Sequence, residues 1–399
     1  MPKKNIIFPF ILVCTLFFLW AFLHNINGIL IPKLKKVCEL SDTQSSFIDV
    51  AVYVGYFVFA IPAGLVSHRF GYKKGILTGL FLFALGALLF LPAADSRKYA
   101  LFLVALFVAA SGATFLETVA NPYAANMGSP ENPDQPLNFA QSFNGVGAVV
   151  APYVGSAFIL SGIEHSKLEL AAMQARGTLA AYLQQEANTI KMPYLIMAGL
   201  LVVVAIAFIF TRLPEIRETD GAHANEFSIR VLRFPHVRWA VIAEFFYVGA
   251  QVGVTSFLVR FARYAANIGE KEAGYMLGWA MVGFMAGRFL GTLFMRYVSP
   301  ARLLSLYALI NVGLLMIVLL AHGRAAVYAL MAIPFFLSIM FPTIFALGIR
   351  DLGEETKLAS SFLVMSIIGG AFTPFVMGEI SDHTGGNIQV AYVMPVLCM

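Results

Sequence analysis

Residues 6–31 read IIFPFILVCTLFFLWAFLHNINGILI. The run holds no Asp, Glu, Lys or Arg, and it exceeds the roughly 20 apolar residues that carry a helix across a bilayer. It follows Lys3 and Lys4, as a secretory signal would. A signal core is only about 7–15 residues long and ends at a small-residue cleavage site, and neither feature is present. The segment reads as a retained transmembrane helix, the form a chain takes in lipid because every backbone donor and acceptor is paired within the segment.

Comparable apolar runs follow at 43–67, 75–94, 99–127, 137–161, 193–212, 237–261, 273–296, 302–321, 325–349, 358–380 and 386–399. With the first they make twelve. The last is short of a full crossing, so the twelfth helix reads as incomplete. The fold class is therefore all-α, a polytopic membrane protein of twelve helices. Of the 399 residues 59% are hydrophobic and only 12% charged, against roughly 25% charged in soluble domains. That balance excludes a soluble enzyme, a disordered chain and a nucleic-acid binder. The net charge of +5 reflects Lys and Arg in short loops, and the bilayer is the expected surrounding. Cys14, Cys38 and Cys398 offer neither a disulfide framework nor a metal spacing.

Two longer breaks fall at 162–192 and 213–236. The second carries Arg217, Arg230 and Arg233 and splits the chain six and six, giving an N-terminal bundle over 1–212, a linker over 213–236 and a C-terminal bundle over 237–399. Lys and Arg slightly favour the side that holds the N-terminus, which places both termini in the cytoplasm. Arg288 is left inside a helix.

The halves repeat one another. Phe18, Trp20 and His24 stand 227 residues before Phe245, Tyr247 and Gln251, and Gly64 and Arg69 match Gly291 and Arg296 at the same offset. Pro122 pairs with Pro342, and Ala-Pro-Tyr-Val at 151–154 echoes Thr-Pro-Phe-Val at 373–376. Four matches in order point to a duplicated six-helix unit, as in transporters built from repeats.

Polar groups at membrane depth are costly and face a cavity or a partner. Trp20, His24 and Gly28 share one helical face, flanked by Asn25 and Asn27; Asp49, Tyr53 and Tyr56 share another. Thr114, Glu117 and Asn121 form a stripe before Pro122. Asn138, Gln141 and Asn144 line up in span five, and Glu244, Tyr247 and Gln251 in span seven. Amides and carboxylates beside Trp and Tyr suit a sugar, whose hydroxyls need paired donors and acceptors and whose C–H face packs on a ring. The plainer reading is that such amides bridge helices. Glu117, isolated in an apolar span, is the group best suited to bind a proton from one side and release it to the other. Asp49 lies about two turns from a loop, and Glu244 could lie at the interface. Gly64-Leu-Val-Ser-His-Arg-Phe-Gly-Tyr-Lys-Lys74 reads as a conformational latch, with Gly64 and Gly71 allowing close approach and Arg69 and Lys73 available to helix C-termini or carboxylates.

Those last residues resemble the major facilitator superfamily, whose signature there is Gly-x-x-x-Asp-Arg-x-Gly-Arg-Lys/Arg; His68 stands in place of the Asp. The fucose:proton symporter family, with its fucose and glucose/galactose permeases, is more similar still. Phe-Leu-Trp-Ala (18–21), Asn-Ile-Asn (25–27), Tyr-Phe-Val-Phe-Ala-Ile-Pro-Ala-Gly (56–64), Leu-Glu-Thr-Val-Ala-Asn-Pro (116–122) and Ala-Gln-Ser-Phe-Asn (140–144) carry the resemblance in the first half. Tyr-Val-Gly-Ala-Gln (247–251), Gly-Arg-Phe (287–289), Pro-Thr-Ile-Phe-Ala-Leu-Gly-Ile (342–349) and Met-Ser-Ile-Ile-Gly-Gly (365–370) extend it through the second.

The resemblance implies an alternating-access sugar symporter of the bacterial inner membrane, with a central site between two bundles. It puts the proton-accepting glutamate at Glu117, cavity positions at Asn25, Gln141 and Asn144, and a pocket aromatic at Trp20. Asn121, Tyr247 and Gln251 complete the expected sugar set. The family's first-helix Asn-Asp-Ile-Leu reads Asn27-Gly28-Ile29-Leu30 here, so one acid is missing. Either Glu117 couples alone, or His24 or Asp49 takes the missing role, or the protein runs uncoupled or on sodium; Glu244 adds acidity elsewhere. The favoured reading is proton-coupled import of a hexose or deoxyhexose by a monomer without cofactor or metal. An intramembrane enzyme would need a nucleophile with its base or a metal cluster, and the seven His are scattered without such a context. A channel would want rings from repeated subunits.

Overall fold

The computed structural model describes residues 7–126, 134–211, 213, 229–295, 297–350, 352 and 356–399. Among them there is no strand. The first half comprises α1 (Ile7–Val37), α2 (Asp42–Phe70), α3 (Tyr72–Ser96), α4 (Tyr99–Asn126), α5 (Asp134–Phe158), α6 (Lys167–Ala175), α7 (Leu179–Asn188) and α8 (Lys191–Phe210). The second comprises α9 (Pro235–Ala266), α10 (Glu270–Phe294), α11 (Pro300–Leu320), α12 (Arg324–Leu337), α13 (Met340–Gly348), α14 (Thr356–Met365), α15 (Gly369–His383), α16 (Ile388–Ala391) and α17 (Val393–Leu397). Among the described residues, ten helical spans are long and apolar enough to cross a membrane. α5, more polar than these, packs along α1 and crosses the same bundle, and the short α16–α17 pair occupies the twelfth place.

Local sequence explains the boundaries. Ser41 caps α2 in a reciprocal box with Gln44. Gly71 alone separates α2 from α3, at φ 84°, where a side chain would be strained. Pro235 and Pro300 open α9 and α11, where a missing N–H costs nothing. Span 325–349, expected to be continuous, is interrupted at 338–339 between α12 and α13, where Pro342 lacks the N–H that would pair with Ser338. Span 358–380 likewise breaks at a 3-10 turn, Ser366–Ile368, with Pro374 in the following helix.

The 162–192 break is itself largely helical. Its α7 is too polar to read as a span, yet Glu186 on it is buried. There it accepts from Lys33 of α1 and from Ser161 Oγ at 2.6 Å, and lies 3.3 Å from Lys36. Of the 213–236 linker, 214–228 lie outside the described residues, as do Arg296 and the side chains of His68, Pro122 and Asn138. The repeat seen in the sequence has its structural counterpart in packing: α5 lies against α1 as α15 lies against α9, and the halves meet along α2 with α15 and α5 with α10.

Candidate functional site

Where α1 and α2 of the first half face α9 and α10 of the second, a polar chamber of about 30 Å³ remains. His24, Asn25, Gly28, Asp49 and Tyr53 line it from one side, and Val252, Thr255, Ser256, Leu277 and Met281 from the other. About two waters fit such a volume; a sugar site needs several hundred Å³. As it stands the chamber is too small for a sugar. A roomier cleft of about 330 Å³ lies elsewhere, lined by Val241, Ile242, Phe245, Phe246, Phe362, Met365 and Ser366. With a lining almost entirely apolar it offers little to a hydroxylated ligand.

His24 stands edge-on to Tyr53 and Tyr56, ring centroids 5.4 and 4.9 Å apart. Asn25 Nδ2 donates to Ala21 O at 2.8 Å. Gly28 is closely approached: a Cβ there would meet Leu277 Cδ2, the end of a side chain that can shift, at 2.6 Å and Thr255 O at 3.3 Å. On α2, Asp49, Tyr53 and Tyr56 follow one face, and Tyr56 lies beside Glu117 of α4. Asn121, one turn on, donates Nδ2 to Glu117 O at 2.9 Å and accepts at Oδ1 from Gln141 Nε2 at 3.2 Å. This amide bridge ties α4 to α5. Asn144, on the same helix as Gln141, is partly buried.

Several expected residues lie away from the chamber. Trp20 is buried against Phe17 at 4.3 Å between ring centroids, within the apolar core. Tyr247 donates its hydroxyl to Leu337 O at 2.9 Å, a bond inside the second half. The backbone carbonyl of Gln251, one turn from Thr255, accepts that residue's hydroxyl at 3.0 Å. Glu244 is fully buried rather than interfacial, and neither carboxyl oxygen has a hydrogen-bond partner among the described residues.

In the latch segment, a Cβ on Gly64 would meet nothing within 4 Å, so no helix crowds it. Arg69 is exposed over the Phe70 ring. Lys73 donates to the carbonyls of Ile209 and Thr211, at 2.8 and 3.0 Å, at the C-terminus of α8.

The opposite end, where α1 turns into α2, is sealed between the halves. Arg260 of α9 donates Nη1 to Asp42 Oδ1 at 3.0 Å and to Ser45 Oγ at 2.7 Å. Ser381 donates to Asp42 Oδ2 at 2.7 Å, and Lys35 also pairs with Asp42. Asp382 accepts from the backbone N–H groups of Asp42 and Thr43 at 2.9 and 2.8 Å, an anion on the positive end of α2. Ser46 Oγ reaches Pro374 O at 2.8 Å, and Glu164 meets Arg263 at 3.0 Å. Sequence reading missed this seal. Arg260 was legible as a cation at the end of span seven, four residues after Ser256, but was absorbed into the count of loop charges.

A family model described as Major Facilitator Superfamily matches residues 10–374. The chain belongs to that superfamily. This member is a multi-pass membrane carrier, in a family of transporters rather than enzymes. It is 41% identical to the L-fucose-proton symporter of Escherichia coli (strain K12), over 99% of this chain and 92% of that protein. Identity to the glucose/galactose transporter of Brucella abortus (strain 2308) is 38%, with the same coverage. Among solved structures, a transporter of this superfamily, FucP, in the outward conformation aligns with a TM-score of 0.73 at 41% identity, over 99% of this chain and 97% of that one. An inward-facing bacterial homologue of the lysosomal transporter Spinster aligns with a TM-score of 0.72 at 16% identity, covering 100% of this chain and 94% of that one, a likeness of fold alone.

Proposed function

We propose that this carrier imports a hexose or deoxyhexose together with protons across the bacterial cytoplasmic membrane, by alternating access and as a monomer embedded in lipid. Residues 1–212 and 237–399 are the two moving bundles, both termini are cytoplasmic, and the sealed end faces the periplasm. The state described is then closed to the outside. Kinship to the L-fucose-proton symporter and the glucose/galactose transporter supports the substrate class. The observation that carries the coupling is Glu117, a carboxyl inside the first bundle beside Tyr56 and one turn from the Asn121–Gln141 bridge. Glu117 takes the proton, while Asn25, Asn121, Gln141 and Asn144 present amides to the sugar once the chamber widens. Trp20, Tyr247 and Gln251 support those helices from behind, and Gly64, Arg69, Gly71 and Lys73 form the cytoplasmic hinge between α2 and α3.

The test is uptake into proteoliposomes across a panel of hexoses and deoxyhexoses, with pH and sodium gradients imposed separately. Accumulation that follows the pH gradient supports the reading. Equilibration without accumulation, or accumulation that follows sodium, replaces it with a uniporter or a sodium-coupled carrier. That second reading has its own support, since Leu277 lies against Gly28, where the family resemblance leads one to expect an acid.

A further inference from the structure

We propose that Asp49 is a second proton site, on the sealed side of the chamber, and that its protonation is what lets the Asp42–Arg260 seal close. The inference rests on the proton-coupled reading above and deepens it.

Asp49 is 1% exposed, lines the chamber, and its Oδ2 has no hydrogen-bond partner among the described residues. Cations stand near it, and Asp42 holds them first. Arg260 spends Nη1 on Asp42 and Ser45, turns Nη2 to Ser256 O at 3.4 Å, and lays its guanidinium on the Phe257 ring at 3.6 Å. Lys35 is on Asp42. Lys35 and Arg260 thus pair with Asp42, and Asp49 shares in the field of Arg260, whose Nε has no hydrogen-bond partner among the described residues, without an ion pair of its own. Ser256 of the facing half hydrogen-bonds the Asp49 carboxyl; the other groups around it are His24, Tyr53 and Tyr99, and Tyr392 lies by Arg260.

Burying a carboxylate held by one hydroxyl and by a cation already paired to Asp42 is expensive. Separating the halves would flood Asp49 with water and let it ionise. Closing them again requires a proton. The linkage runs both ways: an ionised Asp49, one to two turns from Arg260 on the facing helix, competes with Asp42 for the guanidinium and loosens the seal. Low external pH therefore favours the closed periplasmic end, and high pH favours the open one.

The proton has a route inward. Asp49, Tyr53 and Tyr56 share one face of α2, His24 stands against both tyrosine rings, and Tyr56 neighbours Glu117. With about two waters in the chamber, the Asp49 carboxylic acid gives up its proton, the His24 imidazole accepts one on one nitrogen and releases one from the other, and the Glu117 carboxylate becomes the acid. Asp49 is left ionised, the form that reopens the seal on the return stroke.

The experiment uses the full chain in proteoliposomes with Cys14, Cys38 and Cys398 replaced by serine and a reporter, Thr43→Cys, placed in the seal. Thr43 Oγ1 has no hydrogen-bond partner among the described residues, so its replacement removes no bond. A membrane-impermeant maleimide is applied from the periplasmic side as external pH is varied, and sugar uptake under a pH gradient is measured in parallel. In the parent, labelling should rise with pH, by up to about tenfold per pH unit where one proton is linked to opening. Asp49→Asn, which cannot ionise, should stay protected at every pH and lose pH-driven accumulation. A merely structural Asp49 predicts the opposite sign, a looser seal and more labelling throughout. Labelling or accumulation that keeps its pH dependence in Asp49→Asn overturns the proposal. Should that variant fail to fold, Asp49→Glu decides: a pH profile of labelling displaced from the parent's supports the proposal, and an undisplaced one overturns it. A parent that labels as described yet accumulates no sugar under a pH gradient instead overturns the proton-coupled reading of the whole carrier.

Discussion

Leu277 of α10 occupies the space in front of Gly28 of α1, so that a Cβ on Gly28 would lie 2.6 Å from Leu277 Cδ2. The two residues belong to different halves, and the contact exists only while the halves are together. An acid at position 28 would require the Leu277 side chain to shift in this state. Gly28→Asp is expected to disfavour the closed arrangement by about 1–3 kcal/mol, the usual cost of overpacking, and to slow transport. Adding Leu277→Ala should restore much of the rate. Initial rates of sugar uptake for the single and double variants check this, and no recovery in the double variant would refute it.

Glu117→Gln should keep sugar binding, since the amide occupies the same volume beside Tyr56, but abolish accumulation driven by a pH gradient. Binding by calorimetry and uptake in proteoliposomes separate the two. A variant that still concentrates sugar with a pH gradient alone shows that the coupling proton sits elsewhere.

Gln141→Ala and Asn144→Ala should each weaken sugar binding by about two- to tenfold, the value of one hydrogen bond at ~0.5–1.5 kcal/mol. Gln141 also bonds Asn121, so its removal should in addition lower thermal stability, whereas Asn144→Ala should not. Unchanged affinity in both would make the stripe a brace between helices.

Lys33 and Glu186 are both buried. Lys33→Met leaves the Glu186 carboxylate to Ser161 and Lys36 and should destabilise the protein by less than a fully stranded buried charge would, about 3–5 kcal/mol, while the pair Lys33→Met with Glu186→Leu should be close to neutral. Thermal unfolding in detergent reads the difference. Equal losses in the single and double variants would show that the contribution is packing rather than charge.

Hydropathy made most of the helices legible, because a bilayer leaves a chain little choice but to pair its backbone within each crossing. The same rule failed at α7, which is short and polar, and at the α12–α13 and α14–α15 interruptions, which fall inside spans that hydropathy shows as continuous. Glu117, Asn25, Gln141 and Asn144 stood out because polar groups are rare in apolar spans. Trp20 and Tyr247 stood out for the same reason, and the fold turned them into core packing and a hydroxyl bond to Leu337.

What the sequence determined by itself is therefore the set of spans, the duplicated halves and a short roster of polar residues, all properties of single helices. Which of those residues meet was decided by tertiary structure alone. Arg260 finding Asp42, Leu277 lying against Gly28, and Asp49 left without an ion pair of its own all depend on how one half docks against the other. That docking brings together positions more than 200 residues apart, and helical periodicity says nothing about it.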